Sequence, residues 1–288
     1  EVIKAAEEAG IEDVLIKPVT ASVLFNSVAR ILRGSVHESS ATREVPSDAF
    51  MQLSTIQGAR ILLVEDNDIN QEVASEILRD AGFVVDIAED GQIALNKIRA
   101  IDYDLVLMDM QMPVMDSVTA TLETRKDGRF NDLPVVAITS NAMKSDRHHC
   151  IAACMNDHIA KPIEPEDLWK ALLKWIKPSH DMTAPAAAEP QQPENDVDLP
   201  SHIDGLDMVN GLRRVLGKKS LYLSMLRKFV AGQRSATAEI LKALESNDWK
   251  IAERVAHTLK SVSGNIGAIH LQQLAADIEA SIKEHRPR

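Results

Sequence analysis

With 288 residues, the chain is longer than one ordinary small domain, so we expect at least two domains. Apolar residues make up 45% of the sequence and charged residues 26%, which excludes a wholly disordered or collagen-like chain. The formal net charge of −11 makes nucleic acid an unfavourable partner for the molecule as a whole.

The composition predicts a cytoplasmic piece of a longer protein. The longest unbroken apolar run is six residues, whereas roughly 20 are needed to cross a bilayer, so no membrane contact is expected from this part. Cys150 and Cys154 lie four positions apart in a helical pattern, which places them on one face but gives no disulfide framework. The first residue is Glu1 rather than Met, so we expect a parent protein that extends further and could be anchored in the inner membrane.

Residues 1–34 resemble the end of a segment in the middle of the chain. A shift of 144 positions aligns Lys17–Pro18 with Lys161–Pro162, and an amphipathic helical pattern follows both. We therefore expect 1–34 to be the carboxy-terminal remnant of a second copy of the middle domain. Residues 35–57 lack a periodic apolar pattern and are predicted to be a linker.

Between residues 58 and 178, short apolar runs alternate with amphipathic helical patterns. The runs predict strands at Arg60–Val64, Phe83–Ala88, Asp104–Met108, Pro134–Thr139 and His158–Ala160. Such alternation is typical of a parallel sheet with helices on both faces. We expect a doubly wound, flavodoxin-like α/β domain with five strands.

A proline-rich linker at residues 179–200 is predicted to separate this domain from an all-α domain at 201–288. After Asp204 there is no strand pattern, only helical patterns of the kind found in a helical bundle. Residues 58–178 carry a net charge of −8 and residues 201–288 a net charge of +5. Opposite potentials should favour encounter between the two domains.

Acidic side chains follow two of the predicted strands. Glu65 and Asp66 come directly after the first strand, and Asp109 ends the next inner strand. In a doubly wound sheet these strand ends converge in one crevice, and three clustered carboxylates favour a hard cation such as Mg²⁺. Thr139 and Lys161 end two further strands, where a hydroxyl and an ammonium could hold a phosphoryl group on Asp109.

These motifs resemble a response-regulator receiver domain over about residues 60–177. The matching segments are Leu63–Asn67, Met108–Pro113, Ala137–Thr139 and Lys161–Pro162. The resemblance implies that Asp109 is the phosphoacceptor, Thr139 the switch hydroxyl and Lys161 the phosphoryl contact. The implied Mg²⁺ ligands are Glu65, Asp66, Asp109 and the backbone carbonyl of Gln111.

Two positions depart from the receiver pattern. The family's Met-Asp-Gly is Met115–Ser117 here, and His158 stands at the position of the switch aromatic, so the usual aromatic flip is not predicted. In an alternative interpretation, Asp66 only caps a helix and Asp109 is a solvated turn residue. The four matching segments, in the family's order, favour the receiver.

A run of histidines and cysteines near the end of the middle domain invites comparison with a zinc site. Its members are His148, His149, Cys150, Cys154 and His158. The run contains no paired Cys-x-x-Cys spacing, and only the two cysteines share a helical face. We predict solvent-facing histidines and packed thiols there, and no metal.

The all-α domain contains one histidine on a predicted exposed patch. A helical wheel over residues 251–268 places an apolar stripe toward the core: Ile251, Val255, Leu259, Val262 and Ile266. His257 points away from this stripe, toward small residues such as Ser261. Because Gly264 and Gly267 would each weaken a helix by about 1 kcal/mol, we expect another surface to approach this patch closely.

The same segment resembles a histidine phosphotransfer (Hpt) domain over about residues 203–282. The matching segments are Ala256–Ser261 and Gly264–Ala268. Ser261 replaces the family's usual glycine and is small enough to leave the patch open. The resemblance implies that His257 carries a phosphoryl group and that Lys260 assists beside it.

Together, the two resemblances match the carboxy-terminal part of a bacterial hybrid sensor histidine kinase. They imply two-component phosphorelay. An upstream histidine kinase domain passes a phosphoryl group to Asp109, Asp109 passes it to His257, and His257 exchanges it with a downstream response-regulator receiver. One alternative is a Mg²⁺-dependent aspartyl-phosphate phosphohydrolase, although Gln111 stands where such enzymes usually carry a second acid. Another alternative is a passive scaffold in which neither site is phosphorylated.

Overall fold

The computed structural model describes residues 48–112, 114–140, 150, 153–178, 199–200 and 202–285. The predicted remnant at 1–34, most of both predicted linkers, His148 and His149 lie outside these residues. The described helices and strands, in chain order, are α1 Asp48–Gln52, β1 Arg60–Val64, α2 Asp68–Asp80, β2 Val84–Ala88, α3 Gly91–Ala100, β3 Leu105–Asp109, α4 Ser117–Arg125, β4 Val135–Thr139, β5 Asp157–Ala160, α5 Pro165–Trp175, α6 Met208–Arg214, α7 Lys219–Gln233, α8 Ala236–Glu245, α9 Trp249–Asn265 and α10 Ile269–His285. Short 3₁₀ helices lie at Leu53–Thr55 and Gly128–Phe130.

The five strands form one parallel sheet in the order β2-β1-β3-β4-β5, which confirms the predicted fold. Each strand begins and ends within one residue of its predicted bounds. Apart from Arg60, the central strands β1, β3 and β4 bury every side chain, because helices cover both faces of the sheet. We call the sheet and its helices, residues 60–175, the sheet domain.

Side chains of the central strands alternate between two apolar cores. Ile61 and Leu63 face one core, and Leu62 and Val64 face the other. The parallel register brings the carboxyl ends of the strands to one edge, where Val64 pairs with Met108 and Thr139 with Ala160. This edge carries the predicted acidic cluster.

Helices α6 to α10 form the helical domain, in which α9 packs against α8 and α10. Small residues such as Ala252 and Ala256 on α9 are fully buried at these contacts. Among the residues that the structure describes, no helix is both long and apolar enough to cross a membrane.

The two domains share a buried apolar cluster. Helix α2 of the sheet domain lies against α7 and α9, and its residues Ile69 and Val73 belong to the same cluster as Met225 and Val262 of the helical domain. Ion pairs flank this cluster, each joining a cation of the helical domain to an anion of the sheet domain, as the net charges predict. They are Lys218 with Glu76 at 2.7 Å and Asp80 at 2.6 Å, Lys228 with Glu72 at 2.9 Å, and Arg213 with Glu164 at 2.9 Å.

Three local predictions are wrong. The end of the predicted linker 35–57 folds into α1 and a 3₁₀ turn, because Leu53 and Ile56 are buried in the core of the sheet domain. Cys150 is buried whereas Cys154 is exposed in a turn at φ 60°, so the two do not share a helical face. Ile251, placed on the core stripe of α9, is 42% exposed.

Close packing at Gly211 provides a test of the helical domain. A Cβ atom there would lie 2.5 Å from Cε2 of Tyr222 and 2.8 Å from the carbonyl oxygen of Ile266. We predict that Gly211→Ala lowers the free energy of unfolding by about 1–3 kcal/mol because the backbone must shift. Urea unfolding followed by circular dichroism measures this change.

The matched control is Gly232→Ala, at an exposed position of α7 where a Cβ would meet nothing within 4 Å. This substitution should raise helix stability by up to about 1 kcal/mol. Equal effects of the two substitutions would contradict the packing argument.

Candidate functional site

The acidic residues lie where the strand ends place them. Glu65 follows β1 and Asp109 ends β3, and each residue is only 2% exposed. Asn67 caps α2, because its side-chain oxygen accepts hydrogen bonds from the amides of Ile69 at 3.0 Å and Asn70 at 3.1 Å. The alternative in which Asp66 is the cap and Asp109 is solvated is therefore wrong.

Lys161 joins the two buried carboxylates. Its Nζ lies 2.7 Å from Oε2 of Glu65 and 2.8 Å from Oδ2 of Asp109. The Nδ2 group of Asn70 donates to the other oxygen of Glu65 at 2.8 Å. Every oxygen of Glu65 thus has a defined partner, which fixes the carboxylate in one orientation.

Burial dominates the electrostatics of this site. Burial and the charge of Glu65 raise the pKa of Asp109 to about 7, although Lys161 opposes the shift. The pKa of Asp66 is also raised, by burial and by Glu65. Burial alone would lower the pKa of Lys161, but Asp109 and Glu65 raise it above its ordinary value. The cluster therefore carries an excess of carboxylate that a further cation would relieve.

The donor set fits Mg²⁺. Glu65, Asp66 and Asp109 each offer a carboxylate oxygen, and these oxygens lie within 4.8 Å of one another. Oxygen donors at the rim of a cleft are the ligands that a hard divalent cation prefers. The amide of Gln111 donates to Oδ1 of Asp109 at 3.4 Å, so the chain after β3 folds back toward the cluster. Thr139, at the end of β4, is buried at the same edge.

His257 of the helical domain is buried, with 4% of its surface exposed. The prediction that His257 is exposed is wrong, because the sheet domain covers this face of α9. Oγ of Ser140, the residue after β4, lies 3.2 Å from each ring nitrogen of His257. The patch beside it is closed as well, since Ser261 exchanges hydrogen bonds with Asn70 at 3.1 and 3.3 Å.

The helical domain supplies its own partners to the imidazole. Nδ1 of His257 lies 3.1 Å from Oε1 of Glu279, and Lys260 Nζ lies 3.1 Å from Oε2 of the same carboxylate. Burial lowers the pKa of His257, and the charges of Lys161 and Lys260 act in the same direction, while Glu279 opposes them. A neutral imidazole with an available lone pair is therefore favoured at neutral pH.

Of the two glycines after His257, Gly267 has a different cause from the one predicted. A Cβ at Gly264 would lie 2.7 Å from Nε2 of Gln272, which belongs to the helical domain itself. Gly267 lies beyond the end of α9 at φ 82°, where a Cβ would overlap the backbone of Asp207. The helical domain itself therefore requires Gly267, whereas a Cβ at Gly264 would only displace the end of the flexible Gln272 side chain.

Sequence reasoning missed three polar residues at this site: Asn70, Ser140 and Glu279. Asn70 and Glu279 could have been found, because each is a polar residue at a buried position of an otherwise apolar helix face. Ser140 gives no such signal, since a serine after a strand is ordinary and only the position of the other domain makes it part of the site.

Comparison with protein-family models finds a match for each of the two domains. Residues 61–173 match the family model of the response regulator receiver domain, and residues 224–288 match that of the Hpt domain. The chain therefore carries a receiver domain followed by an Hpt domain, the domain pair of a two-component phosphorelay.

Curated relatives that span both regions include two bacterial sensor proteins. Sensor protein GacS of Pseudomonas syringae pv. syringae is 31% identical over 90% of this chain, and the aerobic respiration control sensor protein ArcB of Escherichia coli K12 is 30% identical over 85%. The chain spans only 28% and 31% of the length of these relatives.

Solved structures match the receiver region, and one of them serves as an example. It is the receiver domain of a sensor histidine kinase from Pseudomonas aeruginosa PAO1, which has a magnesium ion coordinated in its active site cleft. That domain is 41% identical, and the match covers 41% of this chain and 97% of that one with a TM-score of 0.39.

Loss of the Lys161 ammonium should destabilise the receiver domain. In Lys161→Met, Glu65 and Asp109 would remain buried without their shared cation. We predict that the free energy of unfolding falls by about 3–5 kcal/mol, the usual cost of breaking a buried ion pair from one side. Urea titration at neutral pH measures it.

Lys170→Met is the matched control, because Lys170 pairs with Asp167 on the surface, where both side chains are exposed. Exposed pairs contribute little, so this substitution should have almost no effect. A Lys161→Met variant as stable as Lys170→Met would contradict the stabilising role of the buried ammonium.

Proposed function

We propose that this chain passes phosphoryl groups between Asp109 of the receiver domain and His257 of the Hpt domain. The observation that carries the proposal is the position of His257, which is buried against Ser140 at the edge of the acidic cluster. A histidine and an aspartate that must exchange a group between domains need such an arrangement, in which water is largely excluded.

The chemistry requires two displacements at phosphorus. The Asp109 carboxylate attacks a phosphoryl donor, so an O–P bond forms while the donor's own bond to phosphorus breaks. Nε2 of His257 then attacks the same phosphorus, an N–P bond forms, and the electron pair of the O–P bond returns to Asp109. Both residue types are competent covalent carriers, and the second step can run in either direction.

The surrounding residues stabilise the charge that moves in these steps. Lys161, which contacts Oδ2 of Asp109 at 2.8 Å, offsets negative charge on the phosphoryl oxygens, and Thr139 offers a hydroxyl at the same edge. Mg²⁺ held by Glu65, Asp66, Asp109 and the Gln111 carbonyl would supply further positive charge. On the Hpt domain, Lys260 lies within 3.1 Å of Glu279 and adds a positive charge close to His257.

The proposed partners follow from the same arrangement. An upstream histidine kinase domain passes a phosphoryl group to Asp109, and the receiver of a downstream response regulator exchanges phosphoryl groups with His257. Because the receiver domain of this chain buries His257, another receiver reaches the histidine only after that domain has moved away. The phosphohydrolase alternative has weaker support, since Gln111 offers no titratable proton near Asp109.

Labelling with a small-molecule phosphodonor tests the two carriers. With Mg²⁺ present, we predict base-labile acyl phosphate on Asp109 and acid-labile phosphoramidate on His257. Asp109→Asn should abolish both labels, because its amide is not a nucleophile, whereas His257→Gln should retain only the base-labile label. Labelled protein is assayed for acid and base stability.

The control is Asp116→Asn, because Asp116 caps α4 through Thr119 and should not carry phosphate. This variant should acquire the same acyl phosphate and phosphoramidate labels as the original chain. Retention of the acyl label in Asp109→Asn would refute the assignment of Asp109, and steady turnover of phosphate esters would favour the phosphohydrolase instead.

Docking of the two domains is tested at Ser261. This side chain is buried against Asn70 of the receiver domain, so an indole ring there would separate the two surfaces. We predict that Ser261→Trp slows transfer from Asp109 to His257 by at least about tenfold, because positioning of the reacting groups is lost. Pulse labelling of Asp109 followed by a timed alkaline quench, which hydrolyses the acyl phosphate and preserves the phosphoramidate, measures the transfer rate.

Ser281→Trp places the same ring at an exposed position of α10 and should leave the transfer rate unchanged. Labelling of Asp109 itself should persist in both variants. Normal transfer in Ser261→Trp would show that the domains exchange phosphoryl groups through a different surface.

A further inference from the structure

A buried polar cluster lies within the contact between the two domains. Asn70 on α2 of the receiver domain contacts Ser261 and Asn265 on α9 of the Hpt domain, and these residues are only 5–6% exposed. The apolar residues Ile69 and Val262 are buried in the same contact. Polar groups removed from water are costly unless each has a hydrogen-bond partner, so the strength of this contact depends on how the cluster is paired.

The amide of Asn70 uses its full hydrogen-bonding capacity only when the domains are docked. Its Nδ2 group donates to Oε1 of Glu65 at 2.8 Å and to Oγ of Ser261 at 3.1 Å. Its oxygen accepts from Nδ2 of Asn265 at 2.7 Å and from the hydroxyl of Ser261 at 3.3 Å. An amide side chain has two N–H donors and two acceptor lone pairs. All of them are used here, and every bond except the one to Glu65 crosses to α9.

Other side chains at position 70 could not satisfy this site. An apolar side chain would leave Ser261, Asn265 and one oxygen of Glu65 without their partner. A carboxylate has no N–H to donate and would face the carboxylate of Glu65. Lysine and arginine have no acceptor for Asn265, and a hydroxyl or a neutral imidazole has one donor for two acceptors. The donors and acceptors around position 70 therefore require an amide.

Ser261 makes this pairing a feature of this chain. The Hpt pattern that the chain resembles usually has glycine at this position, and glycine has no hydroxyl to exchange hydrogen bonds with Asn70. Ser261 is small enough to keep the two helices close, and it forms a two-point contact with a single amide of the other domain. The departure from the family pattern therefore adds a polar requirement to the docking surface.

We propose that Asn70 and Ser261 form a specificity-determining pair, through which the Hpt domain selects receivers that carry an amide side chain four positions after the second acidic residue of the cluster. This inference rests on the proposed function and specifies a property of the receiver that exchanges phosphoryl groups with His257. A receiver with another side chain at this position would bury Ser261 and Asn265 without their partner. We expect such receivers to dock about tenfold to a hundredfold more weakly.

The accessibility of His257 measures docking in the full chain without any phosphodonor. Diethyl pyrocarbonate modifies accessible imidazoles, and peptide mass spectrometry gives the modification rate of His257 alone. Because docking buries this ring, its modification rate rises with the fraction of chains in which the domains are apart. We expect an increase of about tenfold to a hundredfold in Asn70→Leu and of about threefold to tenfold in Ser261→Ala.

A double variant distinguishes direct pairing from indirect effects. Asn70→Leu also removes a hydrogen bond from Glu65, so its effect alone does not identify Ser261 as the partner. In the Asn70→Leu background, the hydroxyl of Ser261 has already lost Asn70, so adding Ser261→Ala should not raise the modification rate further. A double variant whose effect equals the product of the two single effects would overturn the pairing. If Asn70→Leu does not fold, Ser261→Ala carries the test alone, and an unchanged rate would overturn the inference.

Asn96→Leu and Ser281→Ala are the matched controls. Asn96 is exposed on α3, where its side-chain oxygen accepts from Gln92 at 3.3 Å, and Ser281 is exposed on α10. Neither substitution should change the modification rate of His257.

Selection between receivers is tested by transfer between two chains. Donor chains carry His257→Gln, a label on Asp109 and either asparagine or leucine at position 70, and the acceptor chain carries Asp109→Asn. At protein concentrations below saturation, we expect the asparagine donor to transfer about tenfold to a hundredfold faster. The ratio of the two rates should fall at least about threefold when the acceptor also carries Ser261→Ala. Equal rates from the two donors, or a ratio that Ser261→Ala leaves unchanged, would overturn the inference.

Failure of the proposed function is seen separately. Absence of transfer to His257 in the original chain would refute the proposed function, while modification of His257 would still report docking. Normal transfer in the original chain, together with an unchanged modification rate in Ser261→Ala, would overturn the specificity-determining pair alone.

Discussion

The buried ammonium of Lys161 is the interaction on which the rest of the site depends. Parallel strands bring Glu65 and Asp109 to one edge, where two carboxylates without a cation would repel each other in a low-dielectric environment. Lys161 lies within 2.8 Å of both and allows them to remain together. Even so, the pKa of Asp109 is raised to about 7, so one ammonium does not fully compensate the cluster. The remaining imbalance favours a divalent cation and, in the proposed relay, a chemically active Asp109.

Asn70 extends this site into the contact between the domains. Its Nδ2 group donates to Glu65 at 2.8 Å and to Ser261 at 3.1 Å, while its oxygen accepts from Asn265 at 2.7 Å. One buried amide therefore connects the acidic cluster to α9, the helix that carries His257. Because a buried polar group without partners is costly, the orientation of Glu65 and the docking of α9 are mutually dependent. The flanking ion pairs are partly exposed and contribute more to orientation and encounter rate than to affinity.

The sequence was sufficient for the sheet and the acidic cluster, because both follow from local patterns. Strand runs such as Arg60–Val64 are apolar throughout, and the residues after parallel strands must meet at one edge. What could not be predicted depends on the contact between domains. The burial of His257 and the role of Ser140 require the relative position of two surfaces that lie more than a hundred residues apart in the chain. Leu53 illustrates a different limit, since a short helix without strong periodicity is stabilised by the core on which it packs.

The arrangement around His257 imposes a constraint on the proposed relay. The same burial that excludes water from His257 also excludes any other receiver, because only one acidic cluster can occupy this face of α9 at a time. Transfer within the chain and transfer to a partner must therefore alternate, and the contact must be strong enough to form yet weak enough to open. Its apolar centre and its cation–anion pairs at the margin suit that balance, since the hydrophobic cluster provides affinity while the partly exposed charges can be exchanged for those of another acidic receiver. A phosphoryl group on Asp109 would add negative charge to the side of the contact that faces Lys260 and His257. Transfer of this group to His257 would move that negative charge from the receiver domain to the Hpt domain. The transferred group itself thus changes the electrostatic balance that holds the two domains together.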